Sequence, residues 1–182
     1  MADVTPIPAA SVMLLRGNPF EVLMVRRNES SSFVPNAWVF PGGAVDDADR
    51  RETTLETMRV AAARELSEEA GIAIDPRELV WTSRWITPAG LPKRFDTWFF
   101  LARAADGAEA VIDRQEAVDV VWITPAKALA ELEIVFPTRK NLEAIAGRAS
   151  IDELIAARRG AEIQPVQPII VVENGKRRFV IP

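Results

Sequence analysis

The chain predicts an α+β fold. Short apolar runs lead into one long helix, more strands follow, and the remaining helices gather late, which is not the alternation of βαβ units. Its 182 residues, 48% of them hydrophobic, suffice for one good core and are too few for two ordinary domains, so residues 1–182 are expected to form a single domain.

Taken in order, Ala9 to Arg16 and Phe20 to Arg27 are apolar runs around Gly17-Asn18-Pro19, a strand pair joined by a turn. The polar loop Asn28 to Ser32 precedes Trp38-Val39-Phe40, a strand that ends in the turn Pro41-Gly42-Gly43, where backbone can approach a ligand with no side chain in the way. A helix is expected from about Thr54 to Ala70, with Thr53 or Thr54 as N-cap, Glu56 in the first turn and Gly71 as the left-handed stop. Asp75 to Leu79 adds a short helical turn.

Val80 to Thr87 and Phe95 to Ala102 read as strands, the first from its alternation and the second from its aromatics; Val118 to Ile123 is another. Trp38, Trp81, Trp98 and Trp122 lie inside strand runs and are expected in the core. Thr124-Pro125 caps and opens a helix through Leu132, Pro137-Thr138 opens a second, and Ile151 to Arg159 is a third. Ile169 to Val172 and Arg178 to Ile181 form a hairpin around Asn174-Gly175.

With 22 basic and 26 acidic residues the net charge is −4, which argues against a general nucleic-acid binder relying on phosphate neutralisation. The chain has no cysteine and no histidine, so disulfides, thiolate metal sites and imidazole catalysis are excluded. What remains is chemistry by carboxylates, Lys, Arg and hydroxyls. No signal-length apolar run follows Met1 and no later stretch is of bilayer length, so the expectation is a cytoplasmic protein with no membrane partner.

The densest chemistry lies in Arg64-Glu65-Leu66-Ser67-Glu68-Glu69-Ala70-Gly71-Ile72. Residues three and four apart share a helix face, so Glu65 projects beside Glu68 and Glu69, with Arg64 placed to hold Glu68. Carboxylates so close repel unless a counter-ion is present, and a hard divalent cation such as magnesium takes such oxygen ligands together with substrate phosphates. The plainer alternative is a solvated charged stripe.

With the Pro41-Gly42-Gly43 turn upstream, the pattern resembles the Nudix hydrolase signature: a Gly, then a Glu, seven residues, and Arg-Glu-apolar-x-Glu-Glu-x-Gly-apolar. Glu56 stands seven intervening residues before Arg64, as that signature requires. Twelve residues separate Gly43 from Glu56 where the family normally has five, so the loop ahead of the helix is lengthened. The stretches 26–27, 33–46, 84–88 and 94–100 resemble the branch with a lengthened loop that includes peroxisomal coenzyme A diphosphatases.

The resemblance implies an α/β/α sandwich with a mixed sheet, and Mg²⁺-dependent hydrolysis of the phosphoanhydride bond of a nucleoside diphosphate linked to another group, with Mn²⁺ as a substitute ion. Coenzyme A or a derivative is one substrate; a nucleotide sugar, ADP-ribose, a dinucleotide or a nucleoside triphosphate is the alternative, as is a nucleotide-binding module without catalysis. It casts Glu68, Glu69 and the Gly42 carbonyl as metal ligands, Glu65 as a further ligand or the group acting on the attacking water, and Arg64 as a brace. Glu116 is the first choice for an additional catalytic carboxylate and Glu109 the second. Arg27 and Arg94 could grip phosphates, Gly43 could lie against them, and Trp85 could stack on a base or pack in the core. For Arg94 the alternative is a salt bridge to Asp96 or a neighbouring carboxylate. The late amphipathic helices cover a core or form a homodimer.

Overall fold

The computed structural model describes residues 4–29, 34–112, 117–173 and 175–182. In chain order the elements are β1 (Ile7–Gly17), β2 (Phe20–Arg27), β3 (Trp38–Val39), β4 (Gly42–Ala44), α1 (Thr54–Ala70), β5 (Val80–Ile86), β6 (Phe95–Arg103), β7 (Ala117–Ile123), α2 (Pro125–Glu131), α3 (Phe136–Ile145), α4 (Ile151–Arg158), β8 (Pro165–Val166), β9 (Ile169–Glu173) and β10 (Lys176–Val180). Single 3-10 turns lie at Asp47–Asp49 and Pro76–Glu78.

The main sheet runs β3-β2-β1-β6-β5-β8, with β4 also paired to β1 and β7 to β2. It is mixed: β1 is parallel to β6 and β8 to β5, and the other pairings are antiparallel. Along β1, alternate side chains leave opposite faces, and both faces are buried. Val12 and Leu14 join Leu23, Trp98 and Phe100 under Met58, Ala62 and Leu66 of α1. Met13 and Leu15 join Met24, Phe99 and Leu101 under Ala128, Leu142, Ile145 and Leu154 of the later helices. Helix, sheet and helices therefore stack in three layers around two apolar cores, the expected α/β/α arrangement.

The helix carrying the acidic cluster has well-defined ends. Thr53 accepts from the Glu56 N–H, the Glu56 carboxylate returns to the Thr53 N–H, and Gly71 closes the helix at φ 67° with its N–H on the Ser67 carbonyl, 3.0 Å away. Glu56 thus completes the capping box from the third helical position, with Thr53 as the cap.

Gly42-Gly43-Ala44, expected as a turn, also forms a strand along the N-terminal half of β1, with Ser11 opposite Gly42 and Ala10 opposite Gly43. The approach is so close that a Cβ on Gly42 would collide with the Ala10 carbonyl and with Ser11. Ser11 fixes the corner from inside, its hydroxyl donating to the Pro41 carbonyl at 3.0 Å. The terminal hairpin β9–β10 forms as a two-stranded sheet apart from the main one, with the Phe179 ring 5.6 Å from that of Phe136.

Candidate functional site

Gly42, Gly43, Arg64, Glu65, Glu68 and Glu69 meet where α1 crosses β4. Glu65 and Glu69 are 7% and 8% exposed, deep burial for carboxyl side chains, while the Glu68 side chain keeps 56% of its surface. The Gly42 N–H donates to Glu69 Oε2 at 2.9 Å. Glu65 lies against the Gly43 backbone so tightly that a Cβ at 43 would overlap its carboxylate. Both glycines are required here by packing.

Arg64 gathers the surroundings. Its Nε and Nη2 donate to Asp49 at 3.0 and 2.9 Å, its Nη2 also to the Ala44 carbonyl at 2.9 Å, and its Nη1 to Glu65 at 2.9 Å and Glu68 at 2.8 Å. One guanidinium therefore ties the lengthened loop, β4 and two helix carboxylates together, using its fork of fixed donors. The Asp49 hydrogen bond, opposed by desolvation and aided by Glu65 and Glu68, raises the Arg64 pKa above its ordinary value. Burial works against charge on Asp49, which is 2% exposed, but hydrogen bonds from Arg64 and the Asp46 N–H, with the pull of Arg64 and Arg51, hold its carboxyl below the usual range.

Asp49 was not anticipated from the sequence. The available signal was the pair Asp46 and Asp49, three apart in a polar insert: the Asp49 carboxylate accepts from the Asp46 N–H at 2.8 Å in a capping box around the 3-10 turn. The expected Arg64–Glu68 contact is present, but it is the exposed arm of a larger clamp.

Other candidate residues stand elsewhere. Trp85, a candidate for base stacking, is 8% exposed in the core on the sheet face away from α1, with Phe136 edge-on at 6.0 Å. Arg94, considered for a phosphate grip, is 3% exposed and donates to the Thr87 and Val4 carbonyls at 3.0 and 2.8 Å, pinning the entries to β1 and β6. Asp96 pairs with Arg84 at 2.7 Å. Arg27 is half-buried at the end of β2, opposite Ala117 of β7. Glu109 is exposed in the loop after β6, and Glu116 lies outside the described residues.

As the side chains stand, no three acidic groups among the described residues converge in the arrangement of a metal nest; Glu65 and Glu68 lean on Arg64, and Glu69 leans on Gly42. The donor set nevertheless suits a hard divalent cation, since it offers only oxygen, from two deeply buried carboxylates and a glycine backbone that admits no side chain.

Known proteins share this arrangement of elements. A NUDIX hydrolase from Alicyclobacillus acidocaldarius superposes with a TM-score of 0.78 at 24% identity, covering 88% of this chain and all of that one. The NUDIX domain of Shewanella oneidensis NrtR, solved with ADP ribose, gives 0.64 at 17% identity, covering 81% and 90%. In sequence, the chain is 29% identical over 158 residues to a Caenorhabditis elegans protein named as nudix hydrolase 7, covering 68% of this chain; it spans about half of that relative's length, 53%. The NUDIX domain model matches residues 5–145, which include β4, the lengthened loop and all of α1. By that match the chain belongs to the Nudix hydrolase family.

Proposed function

We propose that this chain, acting as one unit over residues 1–182, is a Mg²⁺-dependent hydrolase that cleaves the phosphoanhydride bond of a nucleoside diphosphate linked to another moiety. Coenzyme A or one of its derivatives is the first substrate to test. The observation carrying this reading is the burial of Glu65 and Glu69 on one face of α1 directly against the bare backbone of Gly42 and Gly43. Family membership supplies the reaction class, and the ADP ribose bound to the NrtR domain supports a nucleotide ligand.

Glu65, Glu68, Glu69 and the Gly42 carbonyl would hold the ion, which when bound neutralises diphosphate charge and lowers the pKa of a coordinated water. The Cα positions of both glycines are closed by Ala10, Ser11 and Glu65, so a phosphate would meet this backbone only through its peptide groups. Glu65 is the residue to orient or deprotonate the attacking water, and Arg64 fixes its position from the side. Addition of water across the P–O–P link yields two phosphomonoesters. The coenzyme A assignment rests on the resemblance at 33–46, 84–88 and 94–100 together with the lengthened loop.

A second reading, a nucleotide-binding module without catalysis, draws on the side-chain arrangement, in which all three helix carboxylates already have protein donors. One experiment separates the two. Coenzyme A, ADP-ribose, NADH and diadenosine polyphosphates are incubated with and without Mg²⁺ and products identified by mass. The hydrolase reading expects two phosphorylated fragments from at least one substrate, only with the ion. Binding of a nucleotide with no cleavage of any substrate would favour the module.

A further inference from the structure

A second concave site lies on another flank of α1. It encloses about 410 Å³, and four of its nine lining residues are arginines: Arg59 of α1, Arg77 of the 3-10 turn, and Arg158 and Arg159 at the end of α4. Trp81 and Leu55 line it as well, and no carboxylate does. In a chain with more acidic than basic residues overall, such a concentration from three separate segments is not what an average surface supplies.

The four cations are not equally committed. Arg77 is paired with Asp75 at 2.6 Å, which neutralises part of its charge, and Arg59 donates through Nε to the Leu79 carbonyl at 3.0 Å. Arg158 and Arg159 make no side-chain ion pair among the described residues. Basic residues at a helix C-terminus also complement the helix dipole, which explains one or two charges there. It does not explain Arg59 and Arg77, which arrive from other elements.

Arg59 and Glu65 are six residues apart, roughly 120° around the helix, so this cavity and the glycine pair occupy different sides of α1. The contacts agree: Arg64, Glu65 and Glu69 reach Ala44, Gly43 and Gly42, whereas Arg59 reaches the edge of β5 through Leu79.

We propose that this cavity is an anion site for a phosphorylated small molecule carrying at least two negative charges, distinct from the site at Gly42 and Gly43. Guanidinium forks bind phosphate oxygens in pairs, and Trp81 and Leu55 give an apolar wall for whatever the phosphates are attached to. The site stands independently of the hydrolase reading.

The test is calorimetric titration with inorganic pyrophosphate in EDTA, so that no divalent ion draws the probe to the helix carboxylates. Saturable binding is expected, weakened about tenfold or more in the Arg158→Gln, Arg159→Gln double variant and in Arg159→Glu alone, a change at an exposed position. Lys176→Gln with Arg177→Gln, removing the same charge from the exposed hairpin, is expected to change affinity less than about twofold. Absence of saturable binding, or equal losses in both double variants, would overturn the site.

Discussion

On one side of α1, Met58, Ala62, Leu66 and Ala70 press into the core beneath β1 and β6; on the side toward Gly42 and Gly43, Glu65 and Glu69 are buried almost as deeply but carry ionisable groups. The first side follows the ordinary logic of a helix on a sheet, in which removing apolar area from water stabilises the fold. The second does not. Burying charged groups is unfavourable even when they are paired, and well-packed apolar residues of similar volume would often be as stable. The contrast teaches that one helix divides its circumference between holding the fold together and presenting chemistry.

Substitutions on each side should break that division differently. The largest effect is expected at Glu65: Glu65→Gln keeps the shape against Gly43, and its turnover should fall about 10²–10⁴-fold with little change in melting temperature. Equal activity would remove Glu65 from the mechanism. Leu66, with no exposed surface, should do the reverse, since Leu66→Ala is expected to lower unfolding free energy by about 2–5 kcal/mol in urea titrations while folded protein keeps its turnover.

Arg64 joins the two sides, and Arg64→Ala should lose both properties. It leaves Asp49 buried without its guanidinium, at about 3 kcal/mol, the lower end for a broken buried pair because the Arg64 side chain keeps 22% exposure. The sign with pH follows. Asp49 has a depressed pKa in the folded chain, so its contribution is present above the unfolded carboxyl value and lost as pH falls through the folded one. Stability measured from pH 6 downward should therefore fall less steeply in Asp49→Asn than in the parent. The smallest effect is at the helix start, where Thr53→Ala should weaken unfolding free energy by about 1 kcal/mol without altering catalysis, since cap and cluster lie at opposite ends of α1.

The apolar side of α1 was legible in the sequence because its cause is periodic: Thr53, the alanine and leucine stripe, and Gly71 each state a local preference that packing does not contradict. The chemical side was half legible. The spacing of Arg64, Glu65, Glu68 and Glu69 placed them together, but not the burial of Glu65 and Glu69 against the exposure of Glu68, which depends on where β4 lies. Strand β4 looks like a turn in sequence because two glycines carry no side-chain alternation, and its pairing is supplied by Ser11 and Ala10 more than thirty residues earlier. Asp49 was missed because its partner is fifteen residues away across an inserted loop. Trp85 and Arg94 were considered for the substrate on residue type, whereas the later helices and the start of β1, both distant in sequence, bury them.

The buried face at Gly42 and Gly43 is expected to seat a divalent cation. Calorimetric titration of the chain with Mg²⁺, beside a Glu65→Gln, Glu69→Gln double variant checked for an intact thermal transition, tests it directly. Saturable binding by the parent chain and its loss in the variant are expected; a folded variant that binds Mg²⁺ as the parent does, or a parent that binds none, would rule the seat out.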